Sequence, residues 1–330
     1  MLRQRKNFEL RPNSQVLQVN LDSDKKKATG VTYLDASGHE QTQPADLVIL
    51  AAFSYLNVHL MLLSGIGKPY DPQTGEGVVG KNYTYQNLTR MTLFFDKSVQ
   101  GNPFIGIGGA GQVIDDFNGN QIDNAKLGYL GGSVLWARQP GGGPVRGISL
   151  PPGTPKWGSA WKKAAQDHYR HQFYWEVQGA NMAYQDCYLD LDPTYKDAYG
   201  RPMLRMTFDW KANEIKANQY MVGKLEEMAR SLSPLAISAD AKKPGEHYNT
   251  TRYQSTHTCG GAIMGDNPRT SAVNRYLQSW DVSNVFVMGA CAFPQNNGYN
   301  PTGMVGALAY WSAKAIREQY LKAPGPLVHA

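Results

Sequence analysis

The chain has 330 residues with a formal net charge of +6, 42% of them hydrophobic and 18% charged. That balance describes a water-soluble globular chain with core enough for one large domain or two, and no apolar run approaches the ~18 residues a membrane span needs. The basic excess is scattered; its one dense run, Lys25-Lys26-Lys27 beside Asp22 and Asp24, reads as a solvated hairpin tip, and no basic stripe with interleaved aromatics argues for nucleic acid.

Strand-like alternation fills residues 7–51. Val16, Leu17 and Val19 form one run, and Val31, Tyr33 and Leu34 form another after the turn at Gly30. Residues 46–52, continuously apolar after Asp46, read as a buried strand. A helix is predicted over 54–64 with Leu56, Leu60 and Leu63 on its packed face, closed by Ser64-Gly65-Ile66-Gly67. Residues 68–158 are rich in Gly, Pro and Asn, with Gly141-Gly142-Gly143-Pro144 among them; this reads as loop interrupted by short strands such as 92–95. A helix at 158–170, an aromatic strand at 173–177 and a strand at 203–208 follow. The longest helix is predicted over 211–231, with Ile215, Tyr220, Met221, Leu225 and Met228 as a core stripe. The tail gives a strand at 284–288 and a helix from 302 to 320 packed through Met304, Leu308, Trp311 and Ala315. No internal repeat is present. The pattern is α/β at both ends with an α+β insertion between.

Cys187, Cys259 and Cys291 are far apart in sequence and make no Cys-x-x-Cys pair, which argues against a zinc or iron–sulfur site. His168 and His171 lie i, i+3 at a helix end without a third ligand and suit a partly exposed helical face. The segment Gly106-Ile-Gly-Gly-Ala-Gly111 matches G-x-G-x-x-G, but Gly101-Asn102-Pro103 precedes it and Asp115-Asp116 follows. A phosphate-binding helix start needs a strand before it and no carboxylates after it. A glycine-rich loop is the better reading. The opening Met1–Glu9 is charged without an apolar core behind it and is no secretory signal; a co-exported partner leaves the compartment open.

Two loop residues carry chemistry. His257 sits in Thr-His-Thr-Cys-Gly-Gly (256–261), and Asn300 opens Asn-Pro-Thr (300–302) after the strand ending at Gly289. A histidine to take a hydroxyl proton and an amide to orient the oxygen suit alcohol oxidation beside a redox cofactor. Each also has an ordinary structural role: a satisfied loop histidine for one, and for the other a helix N-cap with Pro301 at the first helical position. Gly289-Ala290 permits close approach of another molecule, though a plain strand-to-loop turn explains it equally.

At these residues the chain resembles the C-terminal part of glucose–methanol–choline (GMC) oxidoreductases, in particular gluconate 2-dehydrogenase-type flavoprotein subunits. The stretches that carry the likeness are 45–52, Leu-Leu-Ser-Gly-Ile-Gly (62–67), Gly-Val-Val-Gly-Lys-Asn-Tyr (77–83), 113–119, Pro-Pro-Gly-Thr-Pro-Lys-Trp-Gly (151–158), 264–268 and above all 284–310. The resemblance implies FAD-dependent oxidation of a CH–OH group in a sugar, sugar acid or polyol, with His257 as base, Asn300 orienting the substrate and hydride passing to flavin N5. By motif match Gly289, Ala290, Pro301 and Thr302 lie along the flavin, Val16 meets adenine, and Ala51 and Ala52 end a strand near the cofactor. It implies a cytochrome c subunit and a small partner subunit, and a periplasmic, membrane-associated location through them; an orphan fragment is instead expected in the cytoplasm. The implied fold is a partial FAD-domain shell (1–68 and 257–330) around a substrate domain (69–256) with an antiparallel sheet flanked by helices. The family's N-terminal βαβ unit with its phosphate-binding glycines has no counterpart in the sequence. Apolar faces of strand 46–52 and helix 54–64 are therefore expected to be uncovered. The rival expectation is a non-catalytic remnant that binds a partner without FAD; an NAD-dependent enzyme is third.

Overall fold

The computed structural model describes residues 4–102, 104, 111–119, 121–123, 125–139, 148–252 and 255–329. In chain order its strands and helices are β1 (Gln15–Leu21), β2 (Ala28–Leu34), β3 (Glu40–Pro44), β4 (Val48–Leu50), α1 (Ser54–Ser64), β5 (Thr84–Tyr85), β6 (Asn87–Phe94), β7 (Gly111–Ile114), β8 (Ser133–Arg138), α2 (Gly158–His168), β9 (Gln172–Gly179), β10 (Tyr188–Lys196), β11 (Pro202–Thr207), α3 (Ala212–Ser231), β12 (Ala236–Ala239), β13 (Thr258–Cys259), β14 (Val285–Val287) and α4 (Thr302–Ala315). A π-helical turn, Ile316–Tyr320, continues α4.

The two ends of the chain meet in one core. Parallel pairing of β14 with β4, Val285 opposite Val48 and Val287 opposite Leu50, joins segments more than two hundred residues apart. Val19, Val58 and Met61 pack with Val273, Val285 and Cys291 in the same buried cluster. The β1–β2–β3 meander lies against it, and its hairpin tip holds exposed Lys25–Lys27 over the Asp22 carboxylate, which accepts the Lys26 and Lys27 backbone N–H groups.

A second core lies between α3 and a five-stranded antiparallel sheet ordered β12-β6-β9-β8-β7. Met91, Leu93, Leu135 and Val177 face Met221, Val222 and Leu225 of the helix. The predicted stripe of α3 is thus its buried face at Ile215, Met221 and Leu225. The region read as loop supplies much of this sheet: strand 92–95 is the end of the eight-residue β6. Short strands hidden among glycines carry too little periodicity to be seen singly. Helices do not flank the sheet evenly, for α2 buries none of its residues.

Three elements depart from expectation. The strand read as 46–52 is only three residues, and it alternates: Val48 and Leu50 are buried, whereas Ile49 is 45% exposed. On α1 the buried face is Asn57, Val58, Leu60 and Met61, with Leu56 49% exposed, because the helix turns its small and polar residues onto the 258–291 segment. On α4 Met304 and Trp311 are 59% and 50% exposed, and the buried positions are Ser312 and Ala315. The expected uncovered apolar surface on β4 and α1 is present as Ile49, Phe53 and Leu56. Most of the G-x-G-x-x-G segment and all of 141–144 lie outside the described residues; Gly111 opens β7.

Candidate active site

His257 immediately precedes β13, which pairs with β5 through Thr258–Tyr85 and Cys259–Thr84. The turn after it needs glycine: Gly260 has φ +81, and a Cβ there would stand 1.8 Å from the Asn82 carbonyl oxygen. The backbone before it is clamped by Tyr85, whose hydroxyl donates to the Ser255 carbonyl at 2.6 Å and accepts the Ser255 N–H at 2.7 Å. Asn296 donates its side-chain amide to the His257 carbonyl at 2.7 Å. The position of the imidazole is therefore set by β5, by the 255–257 loop and by the 296 loop together.

A chain of polar side chains fixes which ring nitrogen carries the proton. It begins at Glu176 on β9, buried between Arg90 Nε at 2.9 Å and Arg138 Nη2 at 3.3 Å. A carboxylate only accepts, so Gln178 turns its amide nitrogen to Glu176 Oε1 at 3.0 Å. Its carbonyl oxygen then faces Gln86 Nε2 at 3.4 Å. The same Nε2 lies 3.4 Å from the carbonyl oxygens of Asn297, Gly298 and Tyr299. Surrounded by acceptors, that end of Gln86 is the NH2, and its Oε1 is the atom bonded to His257 Nδ1. Nδ1 donates, and Nε2 is left as the lone-pair nitrogen. Burial lowers the imidazole's pKa from its ordinary value, with the Glu176 charge acting the other way, so the ring is neutral and basic at neutral pH.

Gln86, Gln178, Glu176, Arg90 and Arg138 were not singled out by sequence reasoning. The signal available was a carboxylate in the middle of an aromatic strand, Phe-Tyr-Trp-Glu-Val (173–177), where an acid has to be paired if the strand is buried.

Asn300 is exposed and does not cap α4; the cap position is Pro301, with φ −74 and ψ −17 and no side-chain cap bond. Pro301 already has helical backbone, and α4 runs from Thr302 as the sequence implied. Gln86 brings the two predicted loops together, because one amide touches both His257 and the backbone through Tyr299, the residue before Asn300. A cavity of about 540 Å³ opens beside them, lined by Cys259, Phe293, Asn296, Asn300, Pro301 and Met304.

With Ala51 and Ala290 as their immediate chain neighbours, Ala52 and Gly289 converge on Asn57 of α1. Its amide accepts the Ala52 N–H at 2.8 Å and donates to the Met288 carbonyl at 2.9 Å. Gly289 has φ +148, and a Cβ would meet Asn57 Nδ2 at 3.3 Å. Phe53, just after Ala52, has φ +79, a conformation of ~1–3 kcal/mol strain for such a residue, found mostly at functional sites. Ala290 joins Cys259 and Phe293 in a small buried cluster against Val305 and Leu308; Cys259, Phe293 and Pro301 line the cavity, and Thr302 opens α4 next to it. Val16 is half-buried on β1 against the main core, and no hydrogen bond ties it to the His257 neighbourhood among the described residues.

The donor set suits the ring end of a flavin. The cavity pairs apolar walls at Phe293, Met304 and Leu308 with amides at Asn296 and Asn300, and Asn296 Oδ1 is buried without a hydrogen-bond partner. The first turn of α4 adds a positive dipole end. For a dinucleotide's phosphates, no glycine turn between strand and helix is found among the described residues.

Comparison with known proteins decides the family. The N-terminal GMC oxidoreductase model matches residues 2–87 and the C-terminal GMC oxidoreductase model matches 183–309. The chain belongs to the GMC oxidoreductase family. This GMC chain is 61% identical to a gluconate 2-dehydrogenase flavoprotein of Pantoea cypripedii, over 100% of its own length and 54% of that protein's. It is 25% identical to a 2-methyl-1,2-propanediol dehydrogenase of Mycolicibacterium austroafricanum, over 94% of the chain and 55% of the relative. A formate oxidase variant from Aspergillus oryzae shares the fold at a TM-score of 0.60 and 15% identity, over 94% of this chain and 60% of that one. The chain spans about half the length of the curated relatives it matches.

Proposed function

We propose that this chain is the substrate-facing and catalytic portion of an FAD-dependent dehydrogenase that oxidises a CH–OH group of a sugar acid. The observation that carries the reading is the directed bond from His257 Nδ1 to Gln86, which leaves Nε2 as the free imidazole nitrogen, while Asn296, bonded to the His257 carbonyl, lines the 293–304 cavity. When bound, the flavin supplies the hydride acceptor. The chain's own residues do the rest: His257 Nε2 takes the hydroxyl proton, and the Asn300 carboxamide donates to the alcohol oxygen as charge builds on it. Phe293, Met304 and Leu308 exclude water, and Gly289, Ala290, Pro301 and Thr302 would line the ring, with Ala51 and Ala52 behind Asn57. Val16 would lie toward the adenine end.

Sugar acids are favoured over neutral polyols by the 61% identity to a gluconate 2-dehydrogenase flavoprotein. The division into 1–68, 69–256 and 257–330 rests on the second core, which is confined to the middle; the first core joins both ends of the chain and also takes in Val78, Tyr83, Tyr85, Leu189, Trp210 and Ile215. Electrons are proposed to leave to a partner such as a cytochrome c subunit, with a small subunit assisting export to the periplasm. No helix among the described residues is long and apolar enough to cross a membrane, so attachment to one runs through those partners in this reading.

The test is purification of the chain, alone and with a chain supplying a phosphate-binding βαβ unit, followed by flavin absorbance and gluconate-dependent dye reduction. Yellow protein that reduces the dye is expected. A colourless, dye-inactive preparation that also fails to bind added FAD overturns the enzyme reading and leaves a non-catalytic binding domain.

A further inference from the structure

The face of the five-stranded sheet opposite α3 holds a second cavity. Arg90 stands in register with Glu176, and Leu88 with Gln178, so this face carries the polar chain that ends at His257. Where the face reaches the 240–252 loop, a cavity of about 500 Å³ is bounded by Arg90, Trp210, Lys242, His247, Asn249 and Arg252.

Lys242 is the unusual member. It is only 5% exposed, yet its ammonium has one hydrogen bond, 3.1 Å to the Leu88 carbonyl, and sits 4.5 Å above the Trp210 ring. An ammonium has three donors, and a buried cation is costly unless an anion or several acceptors stand beside it. Of the neighbouring charges, Arg90 pairs with Glu176, His247 with Asp209 and, at 4.0 Å, Arg252 with Asp240, while the Glu246 carboxylate accepts the Lys243 backbone N–H and forms no ion pair among the described residues. Lys242 forms no ion pair among the described residues. Burial pushes its pKa down to about 8, opposed by Glu246 and Asp240.

We propose that this cavity binds the carboxylate of a small polyhydroxy acid, with Lys242 as the charge that receives it and Arg90 and Arg252 at its sides. The ligand is a monoanion, because Asp240 and Glu246 border the same cavity and oppose a second negative charge. It is hydroxylated, because the remaining wall offers His247 and Asn249 for hydrogen bonding. The inference rests on the reading above only in its choice of a sugar acid as ligand, and its test needs neither flavin nor turnover.

The experiment is calorimetric titration of the purified chain with gluconate, and in parallel with sorbitol and inorganic phosphate. Saturable gluconate binding is expected, with sorbitol and phosphate each at least ~10-fold weaker. Lys242→Met, which keeps the stem over Trp210, is expected to weaken gluconate ~10-fold or more, as loss of a charge-assisted hydrogen bond does. Wild-type affinity should also fall between about pH 7 and about pH 9.5 as Lys242 loses its proton. The other charged and titratable groups facing it are Arg90, Arg252, Asp240, Glu246, Glu176 and His247, the last beside Asp209. The pH series uses wild-type protein and so does not depend on the variant's folding. Absence of saturable binding, equal affinity for sorbitol or phosphate, or a Lys242→Met protein that binds unchanged overturns the proposal.

Discussion

Replacing Gln86 with leucine isolates the directional argument at His257. Gln86 is fully buried, and leucine nearly fills its volume while removing both the acceptor for Nδ1–H and the donor toward the 297–299 carbonyls. An unpaired buried donor costs about 1–3 kcal/mol, so urea denaturation should show a loss of that size. The larger effect is on the tautomer. With no acceptor at Nδ1 the proton is free to move to Nε2, and the lone pair then points toward the core. A base turned this way forfeits the ~10²–10⁴-fold that general-base catalysis contributes. The tautomer is read without turnover, from nitrogen chemical shifts of the chain labelled with ¹⁵N-histidine. Wild-type His257 should show a protonated Nδ1 and a bare Nε2, and Gln86→Leu should show a mixture or the reverse. A wild-type ring already protonated at Nε2, or a tautomer indifferent to the substitution, refutes the chain of reasoning from Glu176 inward.

Glu176→Gln should move the protonation midpoint of His257 further down, because the glutamate's charge is what opposes burial and Arg90 and Arg138 would be left uncompensated; the same titration measures it. For the wild type, the sign of linkage is that folded His257 releases its proton more readily than the unfolded chain. Its contribution is therefore complete above the ordinary histidine value and is lost as pH falls below it, a trend visible in stability against pH and absent in His257→Ala. In a flavin-loaded assembly, His257→Ala should lower turnover by ~10²–10⁴-fold, and unchanged turnover would refute the base assignment. Gly289→Ala should cost about 1–3 kcal/mol, since φ +148 is nearly closed to residues with a Cβ; thermal or urea unfolding reads it. On α1, Leu56→Ala should stay within about 0.5 kcal/mol while Met61→Ala costs about 2–5 kcal/mol, and equal effects would contradict the observed orientation of the helix.

What the sequence disclosed, and what it hid, follows from how far each signal reaches along the chain. The α3 stripe and the Gly65 cap of α1 are local, and both were legible. Gly65 adopts φ +65, and Ile66 N–H closes back on the Met61 carbonyl at 2.9 Å. The orientation of α1 was misread because leucines at 56, 60 and 63 outvote Asn57 in any apolar count. Asn57 is nevertheless fully buried, since its amide bridges two backbone segments. The same blindness hid Gln86 and Gln178, as amides carry no periodic signature and acquire a role only from partners brought up by folding. His257 and Asn300 were found because loop motifs resemble a family; the bonds that orient the imidazole were beyond that resemblance. Asn300 was expected to be both cap and ligand; its side chain makes no capping hydrogen bond at the start of α4.

The proposed base and the proposed phosphate grip are held by different parts of this chain, although Asn296 both bonds the His257 carbonyl and lines the cavity. Every restraint on His257 is internal: β5, the Tyr85 hydroxyl, the Asn296 amide and the sheet-borne chain from Glu176. None of them passes through β4 or the outer face of α4, where Ile49, Met304 and Trp311 meet solvent; the first turn of α1 reaches only the next residue, Ser54 donating to the Thr258 carbonyl at 3.0 Å. Covering that apolar surface would stabilise the chain and add the phosphate contacts a dinucleotide needs, yet it would leave the direction of the Nδ1 bond untouched. Flavin affinity and base orientation should therefore respond to different substitutions. Changes at Ile49 or Phe53 should alter cofactor retention with the His257 tautomer intact, and changes at Gln86 or Glu176 should do the reverse.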